Sequence, residues 1–181
     1  MDSLRGQLLI ASPTLEDPNF ERTVVLVTEH DDDGAMGLVL NRPAGTAVGE
    51  VAPELALLVD GEEPVYLGGP VAEEAVIVLA EFEDPAEAAA PVMGSLGFLA
   101  AGSDEAEISE RLLRARVFAG YAGWGPGQLD EEVEAEAWIL EPADPGDAFS
   151  ADTTGLWGAV LARKGRDYAL LATMPPDPSV N

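Results

Sequence analysis

Two aliphatic runs separated by a short acidic break, RTVVLVTE (22–29) and MGLVLN (36–41) on either side of HDDDGA (30–35), constrain this chain most. β-Branched and aliphatic residues bounded by Asp and Gly predict a hairpin, and Asp33-Gly34 supplies its turn. The chain therefore has a sheet at its centre. QLLIAS (7–12), PVYLGGP (64–70), AVIVLAEF (75–82), MGSLGFLAAG (93–102), ARVFAGYAG (115–123) and a short AWIL run (137–140) add strands.

Helical spacing is sparser. VGEVAPELALLV (48–59) places Val51, Leu55 and Leu58 on one face with Pro53 in its first turn. Ser103 followed by Asp104, Glu105 and Glu107 predicts an N-cap and an acidic first turn for a helix through Leu112. Leu129 and Val133 share a face in the acidic stretch after Gly127, and TTGLWGAVLARKG (153–165) ends in basic residues with Gly165 as a stop. DYALLAT (167–173) is expected as a last strand, DPAEAAAP (84–91) as a variable loop and PPDPSVN (175–181) as a disordered tail. Strands outnumber helices, and neither a βαβ alternation nor a repeat is present, which predicts a single α+β domain over residues 1–174 with a mixed sheet.

Composition removes several functions. Across 181 residues, 34 acids against 9 bases leave a formal charge of −25, which repels a polyanion and offers few Lys or Arg for phosphate contacts. Direct nucleic-acid binding is not expected. A solvated acidic surface is the plainer account of this charge, and a basic partner protein or a cationic ligand the sharper one. With no cysteine there is no disulfide, thiol nucleophile or thiolate metal site. No apolar run reaches the roughly 18 residues of a membrane span and MDSLRGQLLIASP does not read as a leader, so a cytoplasmic protein is expected.

GYAGWGPGQLDEEVEAEAWI (120–139) is the densest cluster of unusual residues. It is not a Walker loop, because Gly125 is followed by Pro126 rather than Lys-Ser/Thr, and it fails the dinucleotide fingerprint because Asp130 stands at the third glycine position. Asp130, Glu131 and Glu132 would also repel a phosphate there. Two readings stay open. Gly123, Gly125 and Gly127 can build a tight strand-to-helix turn with Tyr121 and Trp124 packed on the core, or they can shape a pocket wall where Trp124 stacks on a ligand and Gln128 hydrogen-bonds it.

EHDDDG (29–34) fails as a calcium loop, since the twelfth position from Glu29 is Leu40 where a bidentate Glu is needed. His30 is the one histidine, so any Ser-His-Asp machinery must use it. Ser95 in MGSLG approximates a nucleophile elbow with Met93 in the first glycine position, and a turn histidine is the plainer reading. A zinc site with one imidazole is disfavoured, and neither metal nor cofactor is expected. Asn41-Arg42-Pro43 and Gly68-Gly69-Pro70 each close a strand, and Arg42 is either an anion contact at a pocket or one half of an ion pair.

Taken together, ASPTLEDPNFERTVV (11–25), EHDDDGAMGLVLNRP (29–43), VYLGGPV (65–71), GYAGWGPGQLDEEV (120–133) and AWI (137–139) resemble, in order and spacing, the bacterial YqgE/AlgH family over roughly residues 4–160. The resemblance implies an α+β fold whose mixed sheet forms a pseudo-barrel with flanking helices, in cytosolic proteins of uncharacterised function. One branch is labelled a transcriptional regulator of alginate production, which the charge here makes hard to read as direct DNA binding. Many members have a histidine near the position of Ala80, and the C-terminal tail also departs.

The leading expectation is a non-enzymatic regulatory domain that binds a small ligand or a protein partner through His30, Asn41, Arg42, Gly68, Gly69, Tyr121, Trp124 and Gln128, gathered at strand ends. A hydrolase or transferase using His30 with a carboxylate such as Asp17 or Glu29, and Ser95 or Ser103, is the alternative. A transcriptional regulator acting indirectly is the third.

Overall fold

In the computed structural model, which describes residues 2–175, the N-terminal runs form β1 (Gln7–Ala11), β2 (Val24–Asp31) and β3 (Gly34–Val39). Next come β4 (Pro43–Ala47), α1 (Val48–Val51), β5 (Pro64–Leu67), β6 (Val71–Phe82), β7 (Ala90–Met93), β8 (Leu96–Phe98) and α2 (Glu105–Ser109). The C-terminal part comprises β9 (Leu112–Trp124), α3 (Gln128–Glu134), β10 (Trp138–Pro142), α4 (Leu156–Lys164) and α5 (Arg166–Leu171).

The strands make one ten-stranded sheet with the path β10-β1-β2-β3-β9-β6-β8-β7. Neighbours on that path are antiparallel, while β5 pairs β4 antiparallel and β9 in parallel, so the sheet is mixed. β9 serves three ladders: Phe118 and Ala119 face β5 and β6, and Ala122–Trp124 pair with Ala35–Gly37 of β3. The sheet curls without closing into a barrel. Its path ends at β10 and β7, yet β7 returns to the residue before β1, with Met93 Cβ 3.3 Å from where a Cβ on Gly6 would lie.

Curling explains why β1 and β2 are apolar on both faces. Alternate residues Leu8, Ile10, Val24 and Leu26 enter the central core with Leu79, Leu96 and Phe118, and α4 caps it through Leu156, Trp157, Val160 and Leu161. The intervening Leu9, Val25 and Val27 join Val39, Trp124, Leu129 and Trp138 on the outer face under α3. A third layer sets Val78 and Val117 against Val48, Ala52 and Leu55.

Several local expectations are corrected. The hairpin turn is Asp32-Asp33, because Asp31 pairs with Gly34 and its Oδ1 accepts the Asp33 N–H at 2.9 Å. Gly34 (φ 138°) is already in β3, where a Cβ would collide with the Trp124 carbonyl. The 48–59 helix breaks at Ala52, ahead of Pro53, into α1 and a 3-10 turn over Pro53–Leu57. Residues 93–102 are not one strand: Gly94 (φ 50°) turns β7 into β8, and β7 takes up the end of the loop expected over 84–91. The cap of α2 is Asp104, which accepts from Ala106 and Glu107, and not Ser103. DYALLAT forms α5 rather than a strand, since Tyr168, Leu171 and Ala172, at spacings of three and four, pack on the central core. The expected tail falls, from residue 176 onward, outside the described residues.

Candidate functional site

The glycine-aromatic corner between β9 and α3 is built around one carboxylate. Trp124 Nε1 and Trp138 Nε1 donate to Glu132 Oε2 at 2.9 and 2.8 Å, and Gln128 Nε2 donates to Glu132 Oε1 at 2.9 Å. Gln128 Oε1 in turn accepts the Gly125 N–H at 3.0 Å. Phe20 stacks on Trp124 (centroids 6.1 Å, 28°) and meets Trp138 edge-on at 5.6 Å. Trp124 is 7% exposed. Of Gly123, Gly125 and Gly127, only Gly127 (φ 73°) is left-handed, as the residue before α3. These contacts are those of a packed strand-to-helix turn, with the Trp124 indole and the Gln128 amide already committed.

Asn41 clamps the start of β2, accepting the Val24 N–H at 3.0 Å and donating to the Arg22 carbonyl at 2.9 Å. Arg42 spends its guanidinium on main-chain oxygens, with Nη1 on Pro18 and Asn19 and Nη2 on Glu21, all at 2.9 Å. It therefore fastens the turn before β2. Gly68 and Gly69 cross Gly120 and Tyr121 so closely that a Cβ on Gly68 would fall on the Gly120 carbonyl and one on Gly69 on the Tyr121 carbonyl. Tyr121 is half-buried against the central core. A shallow depression of about 90 Å³ lies between these segments, lined by Asn19, Arg42, Leu67, Gly69, Pro70 and Glu73 among others.

His30 sits at the end of β2. Its Nδ1 accepts the Leu4 N–H at 3.0 Å, and its Nε2 faces Asp130 Oδ1 of α3 at 3.7 Å, beyond hydrogen-bond range. A neutral ring that accepts at Nδ1 carries its proton on Nε2 and keeps no free lone pair for general-base work. The serines named with it are elsewhere: Ser95 Oγ donates to Glu81 and Ser103 Oγ to the Ala100 carbonyl. Asp17 caps the turn at Asn19. The eight sequence-named residues thus form two groups, His30, Trp124 and Gln128 near α3, and Asn41, Arg42, Gly68, Gly69 and Tyr121 at the β5–β9 crossing.

A family model described as AlgH-like matches residues 8–169. The chain belongs to the AlgH-like family. A UPF0301 protein of Streptomyces coelicolor is 41% identical, with 100% of this chain and 97% of that protein covered. Another, from Thermobifida fusca, is also 41% identical, covering 99% and 96%. Among solved structures, a Corynebacterium diphtheriae protein superimposes with a TM-score of 0.86 at 31% identity, covering 93% of this chain and 91% of that one. The AlgH protein of Pseudomonas aeruginosa gives 0.75 at 32% identity, covering 96% and 95%.

In this AlgH-like chain a further concavity takes in Glu29 and Met36 of the hairpin and Ser103, but none of the eight residues expected to bind. A cleft of about 460 Å³ opens between β6 and the segment after β8, with apolar walls from Met36, Leu55, Val76 and Phe98 and the carboxylates of Glu29, Glu54 and Glu105 at its lining. Among the described residues no Lys or Arg lines it. Val76 is 49% exposed in it. Its lining comes from stretches far apart in sequence, each read locally as strand, helix or cap. The departure at Ala80 has no bearing on the cleft, since Ala80 is fully buried. Among the described residues no group of three or more His, Asp or Glu is placed to hold a metal ion, and no helix is long and apolar enough to cross a membrane.

Proposed function

We propose that this AlgH-like chain is a non-enzymatic binding module whose partner lies in the cleft beside β6. The carrying observation is Val76, an aliphatic side chain half exposed inside an open cleft whose charged lining groups, among the described residues, are all glutamates. The volume suits a small ligand or a few side chains of a protein segment, and the charge suits a cationic one. The hydrolase alternative has less support, because His30 presents a donor rather than a base. Regulation through such a partner would need no nucleic-acid contact, in keeping with the charge of −25.

The test is calorimetric titration, at physiological salt, of a lysine-rich amphipathic peptide and its glutamate-rich counterpart. The cationic peptide is expected to bind, at least tenfold more weakly to Val76→Lys, and unchanged to Leu170→Lys, which places the same charge on an exposed site of α5. Equal weakening by both substitutions reduces the effect to net charge and overturns the reading.

A further inference from the structure

His30 and Asp130 face each other as unfinished halves of one hydrogen-bonded site. The His30 side chain is only 7% exposed, and its Nε2 has no hydrogen-bond partner among the described residues. Asp130 Oδ1 is likewise buried and, among the described residues, without a partner. The two atoms stand 3.7 Å apart and line a cavity of about 230 Å³, together with Ser3, Asp31, Asp32 and Gly127. Leaving buried polar atoms unmatched is unfavourable, so a group in the cavity beside the pair is favoured for matching both.

We infer that this cavity is a binding site for a small hydroxylated ammonium compound, an amino alcohol or amino sugar. At 3.7 Å the pair is close enough for one atom beside it to accept from His30 Nε2–H and donate to Asp130 Oδ1. A carbonyl or carboxylate oxygen cannot donate, and an ammonium cannot accept; a hydroxyl does both. Asp31 and Asp32, with Asp130, place carboxylates around the same cavity, which favours positive charge on the atoms next to that hydroxyl. The site is separate from the β6 cleft.

The test monitors the imidazole nitrogens of the only histidine in the chain by long-range 1H–15N correlation, which reads His30 without ambiguity. Three probes of equal size are titrated: ethanolamine, propylamine, which lacks the hydroxyl, and ethylene glycol, which lacks the ammonium. Ethanolamine is expected to shift Nε2 saturably, at least tenfold more tightly than either analogue, with Nδ1 still showing its acceptor signature. Asp130→Ala should weaken it at least tenfold while tryptophan fluorescence stays native, since Asp130 Oδ1 holds no hydrogen bond among the described residues. Equal response to ethanolamine and either analogue overturns the assignment. So does no response to any of the three, which leaves water to match the pair.

Discussion

Trp124 and Trp138 share a single acceptor oxygen, Glu132 Oε2, with their rings edge to face at 6.2 Å. One glutamate on α3 thereby ties the end of β9 to the start of β10, and Phe20 closes the third side of the cluster. Two donors on mostly buried rings depend on it. Glu132→Ala should cost about 2–4 kcal/mol, since a buried donor left unmatched costs about 1–3 kcal/mol. Glu132→Gln keeps an acceptor but loses the charge, and should cost about 1–2 kcal/mol. Urea unfolding followed by tryptophan fluorescence measures both, and equal stability of Glu132→Ala and the parent would remove this carboxylate from the account of the fold.

The β5–β9 crossing makes a sharper prediction about glycine. Gly68→Ala and Gly120→Ala each drive a Cβ onto a main-chain carbonyl, and Gly120 also has φ 71°. Neither backbone can retreat without breaking the Gly68 N–H bond to Ala119 and the Val39 N–H bond to Gly68. Each substitution should cost more than about 3 kcal/mol or prevent folding, at the far end of the range for point mutants. Gly45→Ala, whose new Cβ would meet nothing within 4 Å among the described residues, should lie within about 0.5 kcal/mol of the parent. Thermal melts of the set decide it.

How far the fold was legible depends on where its information lies. β1 and β2 announce themselves because each buries both faces, so aliphatic residues run without interruption through Leu8–Ile10 and Val24–Val27. The stop at Gly165 was legible too, but the type of the next element was not: Tyr168 and Leu171 fit a strand or a helix, and packing on the central core selects the helix. Gly34 was visible as a special residue, while its reason, the carbonyl of the distant Trp124, depends on β3 pairing with β9. The same holds for the sites. His30 was visible as the lone histidine, whereas Asp130 opposite it and the meeting of Glu29, Val76 and Phe98 exist only once the sheet has curled.

By sequence Arg42 is an anion contact or an ion-pair partner, and the structure gives it three carbonyls instead. Main-chain oxygens fanned over Pro18–Glu21 suit a planar fork better than a single ammonium. Arg42→Ala should cost about 2 kcal/mol, and Arg42→Lys should recover less than half of that, because a lysine reaches fewer of the three at once. Chemical unfolding of both variants measures this, and full rescue by lysine would show that charge alone matters at this position.

A stabilising change is also predicted, at the far end of α3. The Glu136 N–H bonds the Val133 carbonyl and the Ala137 N–H the Glu132 carbonyl, the paired bonds of a helix ending that needs a left-handed residue. Glu136 occupies that position with φ 58°, a conformation in which a side chain is strained and glycine is not. Its carboxylate also stands at the negative end of the helix. Glu136→Gly should therefore raise stability by about 1 kcal/mol, even though glycine ordinarily lowers it. Glu134→Gly, two residues earlier and still helical, should lower stability by about the same amount. Opposite signs in parallel melts would establish that backbone conformation governs the outcome here, and the same sign in both would refute it.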